Sequence, residues 1–386
     1  MTDGASQPPR TRRPRYAGNH PRRFEEKYKE RDPARFPEER EKVLASGKTP
    51  AGSHVPVLAL EVLAALEPKP GDFAVDATLG FGGHASELLK RILPGGRLLT
   101  MDVDPIELPK ASARLEALAV ELGAAGAVRT IRRNFAGLRK LLADDARGAS
   151  GMIGANVILA DLGVSSMQLD DPARGFSWKH DVPLDLRMNP RRGQPAGSLL
   201  LRMKKKEIED LLRKWGDEPE AAGIAASLHA TIVARRSAAQ LDAPRPRTGE
   251  SPVHLLRTSD VTRAVESAYE GRTSRDASEA KSSSLSRTFQ AIRILVNEEL
   301  TALDTFLRDL PHCLAPGGRA AILTFHSGED RRVKKAFAAG LADGTYAEVS
   351  REVVRASPEE RRANPRSTAA KLRWAVRTAP PPSGLT

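Results

Sequence analysis

Three aspartates and a pair of glycines stand where residues of their type could act on one ligand. The stretch Val75-Asp76-Ala77-Thr78-Leu79-Gly80-Phe81-Gly82-Gly83-His84 leads from an apolar run into a helical pattern. Gly82 and Gly83 at such a junction let backbone N–H groups approach a carboxylate or phosphate, and the N-terminus of the helix favours that negative charge. Twenty residues past Gly82, a second apolar run ends in Met101-Asp102-Val103-Asp104. An acid in that place, Asp102, can accept both hydroxyls of a ribose. A third run is followed by Arg133-Asn134-Phe135, where Phe135 could flank an adenine, and a fourth ends at Asp161. Ligands of parallel sheets bind beyond the C-termini of the strands, so Asp161, or a backbone carbonyl beside it, is a candidate to accept a hydrogen bond from a reacting group or to orient a cofactor.

The elements that must position these residues are legible as short β-rich runs alternating with helical stretches. The runs are FAVDAT (73–78), RLLTMD (97–102), AVRTI (127–131), NVILAD (156–161) and RAAILTF (319–325). LALEVLAAL (58–66) and HASELLKRIL (84–93) carry apolar residues at helical spacing. This alternation predicts an α/β fold with a doubly wound parallel sheet. The segment between the fourth and fifth runs is far longer than one crossover helix needs, which predicts an insertion at 165–284. Its patterns are helical at 204–216 and 221–236, with loops at 241–252 and 270–284, and the stretch 285–310 reads as one long amphipathic helix ended by Pro311. Gly80-x-Gly82-x-x-Ala85 with Asp102 also satisfies the dinucleotide fingerprint, so a nicotinamide dehydrogenase competes. Asp76 ahead of the glycines and Phe135 after the third run favour S-adenosylmethionine instead.

The motifs that follow the fourth run are more specific. Asp161-Leu162-Gly163-Val164-Ser165-Ser166-Met167-Gln168-Leu169-Asp170 continues to Arg174-Gly175-Phe176-Ser177. With His54 to Leu58, Pro183 to Met188, Arg287 to Ile294, Leu314 to Arg319, Phe325 to Arg331 and Asn364 to Arg366, it resembles the bacterial ribosomal small-subunit RNA cytosine-N4 methyltransferases, the MraW or RsmH family. The resemblance spans about residues 54–378. It implies a class I S-adenosylmethionine-dependent methyltransferase with a Rossmann-like sheet and an inserted helical domain, acting on the exocyclic amine of a decoding-centre cytosine in 16S rRNA of the small ribosomal subunit. It implies cofactor contacts at Gly82, Gly83, His84, Asp102, Phe135, Asp161 and Gln168. His326, at the end of the fifth run, could supply a base or a hydrogen bond to the cytosine, although Ser327-x-x-Asp330 is also a helix N-cap pattern. The chain departs from the family at Gly328, where leucine is usual, and at Ser282 to Ser286, where His, Pro and Lys are frequent. A methyltransferase of the same fold acting on another nucleobase or a protein amine, and a non-catalytic rRNA-binding assembly factor, are the alternatives.

Composition sets the outer limits. The chain has 386 residues, 28% of them charged, with a net charge of +12, which favours a polyanionic partner. One cysteine, Cys313, excludes an intrachain disulfide and any multi-cysteine metal site, and no metal is expected. No stretch reaches the roughly 18 apolar residues of a membrane span, and the N-terminus has no secretory apolar core, so a cytoplasmic location is expected. Residues 1–50 hold 13 Lys or Arg against 8 Asp or Glu and read as a disordered basic arm. The expected organisation is this arm, a methyltransferase domain at 51–164 and 285–378, the helical, RNA-recognising insertion at 165–284, and a tail at 379–386. Monomer and homodimer both remain open.

Overall fold

The computed structural model describes residues 56–148, 154–241, 256–272 and 274–380. The basic arm, His54 and Val55, nearly all of the 241–252 stretch and the last six residues lie outside them. Along the chain run α1 (Ala59–Leu66), β1 (Phe73–Asp76), α2 (Gly83–Ile92), β2 (Arg97–Asp102), α3 (Leu108–Glu121), β3 (Val128–Arg132), α4 (Leu138–Gly148) and β4 (Ala155–Asp161). There follow α5 (Ser166–Asp170), α6 (Ala196–Leu200), α7 (Lys205–Gly216), α8 (Ala221–Leu241), α9 (Thr258–Ala268) and α10 (Arg275–Asn297). The chain then continues through α11 (Glu299–Cys313), β5 (Leu314–Thr324), α12 (Ser327–Ala342), β6 (Tyr346–Val349), α13 (Pro358–Ala363) and β7 (Lys371–Arg377).

The sheet has the order β3-β2-β1-β4-β5-β7-β6. Its first five strands are parallel, and β7 is antiparallel to both neighbours. The switch in strand order falls between β1 and β4, the place where such sheets open a crevice at the strand C-termini. Alternation along the strands builds the two cores, because successive side chains point to opposite faces. Val157, Leu159, Ala321 and Leu323 pack with Leu88, Leu89 and Leu115 on one face. Ile158, Ala160, Ala320 and Ile322 pack with Leu138, Phe306 and Phe337 on the other. The antiparallel strands β6 and β7 were not foreseen. Both are short and interrupted by charged residues, so neither presents the continuous apolar run of a strand buried on both faces.

A third apolar cluster lies in the helical segment and joins Ile208, Leu212, Leu228, Val261, Phe289 and Ile292, among others. Each fully buried aliphatic side chain of this kind contributes on the order of 2 kcal/mol. The 270–284 stretch, read as a loop, is helical from Arg275, with Ser274 accepting from the N–H of Ala277. Its run of small polar residues hides the periodicity that Leu285, Phe289 and Ile292 later display.

The stretch 285–310, read as one helix, is two. They meet at Glu298, whose φ of 50° breaks the ladder. Asn297 explains the break. Its Nδ2 donates to Leu186 O at 2.8 Å and Arg293 O at 2.9 Å, and its Oδ1 accepts from Met188 N at 2.7 Å. Arg293 grips Glu299 across the bend with two hydrogen bonds of 2.8 and 2.9 Å. Pro311, by contrast, lies inside α11 without ending it.

Gly154 admits β4 to the sheet with a φ of +87°, and a Cβ there would sit 2.4 Å from the backbone of Leu314. Gly154→Ala combines a disfavoured backbone conformation with overpacking, so a loss of about 2–4 kcal/mol is expected. Denaturant unfolding should report it as a lower midpoint at an unchanged slope.

Candidate active site

A cleft opens along the C-terminal edge of the sheet, and neighbouring strands bring their terminal acids to it. Asp102, Asp76 and Asp161 end β2, β1 and β4, which lie side by side in that order. All three line the cleft, together with Gly82, Gly83, His84, Phe135 and Gln168. Seven of the eight residues singled out as site candidates are thereby gathered in one cavity. His326 is not among its lining residues. It lies behind the wall, with Nε2 3.0 Å from Glu329, whose carboxylate does line the cleft.

The glycine turn holds its shape through Asp102. One carboxylate oxygen accepts from Gly80 N at 2.7 Å and the other from Asp104 N at 2.9 Å. Each oxygen keeps lone-pair capacity for a further donor, as recognition of two ribose hydroxyls requires. Gly82 caps α2 with a φ of 90°, a conformation costly for any side chain bearing Cβ. Gly83 is needed for space, since a Cβ would lie 2.7 Å from Pro56 Cγ. Arg114 fastens the turn from outside. Its guanidinium stacks 3.8 Å from the Phe81 ring centroid and donates to Phe81 O at 2.7 Å. Phe135 stands edge-on against Phe306, with centroids 5.4 Å apart, which fixes its ring at the cleft wall.

The charge balance of the cleft is unusual. Burial, followed by the like charges of Asp76 and Glu329, pushes the Asp161 carboxyl up to about 8. Burial likewise raises Asp76 to about 7, against the opposing N–H of Thr78. Asp102 is raised too, chiefly by burial. His84, only 3.7 Å from Asp161 Oδ2, brings no compensating charge, because burial lowers its pKa to about 4 and leaves the imidazole neutral. Glu329 is held below its usual range by His326 and Arg293 despite its burial. Asp161 Oδ1 and His84 Nε2 are buried without hydrogen-bond partners. Such an arrangement fits a ligand that carries positive charge and hydrogen-bond donors.

Two residues that organise the site, Asp104 and Arg174, were not singled out in the sequence. Gln168 does not reach the cleft freely, since its Nε2 donates to Asp104 Oδ2 at 2.8 Å and its Oε1 accepts from Ser165 N at 2.9 Å. Asp104 is the hub that organises it, binding Arg174 Nη1 at 3.0 Å with both side chains buried. The second acid of Met101-Asp102-Val103-Asp104 and the arginine before Gly175 were the available signals. Arg287 and Arg293 pair with Glu218 and Glu299. The N-cap pattern at Ser327 is not realised, because Asp330 turns to Arg373 and Lys371 while Ser327 Oγ donates to Asp217.

A family model described as the MraW methylase family matches residues 51–378. The chain belongs to the MraW methylase family. It is 41% identical over 372 residues to "Ribosomal RNA small subunit methyltransferase H 1" of Lachnoclostridium phytofermentans, covering 96% of this chain and 94% of that protein. It is 40% identical over 369 residues to "Ribosomal RNA small subunit methyltransferase H 2" of Alkaliphilus metalliredigens, covering 95% and 98%. A Synechococcus relative, "Ribosomal RNA small subunit methyltransferase H", is 41% identical over 328 residues and covers 83% and 94%. The protein is thus a methyltransferase of the class I fold, with a Rossmann-like sheet and S-adenosylmethionine as its methyl donor. No described helix is long and apolar enough to cross a membrane, and the described residues hold no cluster of metal ligands.

The carboxyls at about 7 and about 8 bind protons that a cationic donor must displace. Binding therefore releases protons, and the Kd for S-adenosylmethionine should fall as pH rises from about 6 to about 8.5, then level off. Calorimetry in two buffers of different ionisation enthalpy checks the release, which Asp161→Asn should diminish.

Proposed function

We propose that this methyltransferase modifies N4 of a decoding-centre cytosine in 16S rRNA of the small ribosomal subunit, in the cytoplasm. The observation that carries the proposal is the position of Asp161. It lies at the end of β4 with one oxygen unpartnered, in the same cleft as the glycine turn, Asp102 and Phe135. The printed names of the relatives support the ribosomal substrate. The motif from Asp161 to Gln168, which resembles the cytosine-N4 enzymes, supports the base and the atom.

On this reading Asp102 holds the ribose hydroxyls, Phe135 flanks the adenine, and the turn at Gly82 and Gly83 receives the carboxylate of the donor. The donor supplies an electrophilic methyl group on a sulfonium, transferred by in-line displacement. The carbon–sulfur bond breaks as the bond to N4 forms, and the amine proton must leave. A cytosine amine is a weak nucleophile because its lone pair is shared with the ring. Asp161, once ionised, would accept a hydrogen bond from the amine through its unpartnered oxygen and take up its proton as positive charge grows on nitrogen. His84 stays neutral beside it and leaves the carboxylate charge unquenched. His326 acts at one remove, by fixing Glu329 at the cleft wall. The helical cluster built from α6 to α10 grips the surrounding RNA while the target base is swung out of its stack.

Incubation of purified small subunits with labelled donor, followed by mapping of the nucleoside, tests the reading. N4-methylcytidine at one decoding-centre position is expected, and methyl transfer to another base or to protein would refute it. Asp161→Asn should lower turnover by about 10²–10⁴-fold while RNA binding is kept. Near-normal turnover in that variant would remove Asp161 from the chemistry.

A further inference from the structure

Beside the cleft, the helical segment presents a turn braced by hydrogen bonds. Met188 lines the cleft, and the next five residues, Asn189 to Gly193, form a tight bend that is exposed from Arg191 to Gly193. Asn189 organises the bend, its side chain accepting from Arg191 N at 3.0 Å and its carbonyl from Arg192 N at 3.1 Å. Arg187 closes the bend by donating to Gly193 O at 3.3 Å, and Asp185 holds that guanidinium with two hydrogen bonds of 2.7 Å. Leu186 adopts a φ of 62°, a strained conformation for a residue with Cβ. The bend is also tied to the donor side of the cleft. Arg174, paired with Asp104, donates to Met188 O at 2.8 Å, and Met188 N donates to Asn297.

At the crest stand Arg191 and Arg192, both exposed, and neither pairs with an acid among the described residues. Two neighbouring cations without an acid repel each other, and burial does not explain them. Arg191 lies three residues from Met188, so its Cα is within about 11 Å of a residue that lines the cleft. A braced turn holds the two arginine backbones in place in advance, so little backbone freedom is left to lose when their guanidinium groups meet phosphate oxygens.

We propose that the turn at Asn189 to Gly193 is a phosphodiester grip, in which Arg191 and Arg192 hold backbone phosphates next to the nucleotide delivered to the cleft. The proposal rests on the RNA-methylating function given above and names the surface that positions the strand. The turn serves register, while the cleft serves chemistry, since phosphate contacts orient a nucleic acid without reading its bases.

The test compares the full-length protein with the Arg191→Gln/Arg192→Gln variant, on small subunits and on naked small-subunit RNA. The variant should raise KM for both substrates by about tenfold, with kcat and donor Kd unchanged. The slope of log affinity against log salt should become shallower by about 1.4–1.8, the release expected for two phosphate contacts. An active wild type whose variant keeps both KM and slope overturns the grip. A loss confined to the assembled subunit overturns it as well, because the partner would then be a ribosomal protein. A wild type that binds donor but neither binds nor methylates RNA overturns the functional reading, and the grip with it.

Discussion

The constraint on which the rest of the site depends is the crowding of carboxylates at the edge of a parallel sheet. Strands β2, β1 and β4 are adjacent, and each ends in an aspartate that faces the same cleft. Three ionised carboxylates in one low-dielectric crevice repel one another, and the interior can relieve this only through protonation, hydrogen bonding or a cation. The protein uses a different relief at each strand. Asp102 spends its oxygens on the N–H groups of Gly80 and Asp104, Asp76 accepts from Thr78 N at 3.0 Å, and Asp161 keeps an oxygen without a partner. The last of these can be satisfied only by something that enters the cleft. The positive charge of the donor suits that electrostatic deficit, and on the proposed function the substrate amine is drawn to the same place.

A second device keeps the deficit in register with the glycine turn. Thr78 Oγ1 accepts from Asp161 N at 2.6 Å, so the loop after β1 and the end of β4 move as one. Asp104 extends the frame outward, accepting from Gln168 and Arg174. Buried ion pairs seldom add much stability, because desolvation offsets the attraction, but breaking one leaves an uncompensated charge. Asp104 and Arg174 fit a role in specifying geometry. They join the strand that carries Asp102 to the loop that carries Met188, and so join the sheet edge to the helical cluster.

Much of this was legible in the sequence, and the reasons differ by element. Strands β1, β2, β4 and β5 were visible because burial on both faces demands continuous apolar runs, as in Asn156 to Asp161, whereas the half-exposed edge strand β3 was marked only by its β-branched residues. The glycine turn and Asp102 were visible because chemistry limits what can stand there. The bend at Glu298 was not, since the helical period runs on through it, and its cause, the hydrogen bonds of Asn297 to Leu186 and Met188, comes from residues more than a hundred positions away. The buried pair of Asp104 and Arg174 lacked a signal for the same reason, being 70 positions apart. His326 is a different case. Its motif drew attention to the imidazole, whereas the group that reaches the cleft from that motif is Glu329.

The two departures from the family pattern fall where the frame can absorb them. Gly328 packs against the His326 ring, and a Cβ there would lie 3.1 Å from Nδ1, a close approach that the imidazole or the start of α12 would have to accommodate. Glycine relaxes that contact, and the hydrogen bond from Phe325 N to Glu329 survives at 2.9 Å. Ser282 to Ser286 lie in the first half of α10, where Ser284 is buried and the Ser286 hydroxyl donates back to Ser282 O. None of them lines the cleft. A serine-rich stretch lowers helix propensity, yet the segment is helical because Leu285, Phe289 and Ile292 are anchored in the helical cluster. Tertiary burial thus carries a stretch whose local preference is weak, and that frees the exposed face of the helix to vary without disturbing the carboxylates at the sheet edge.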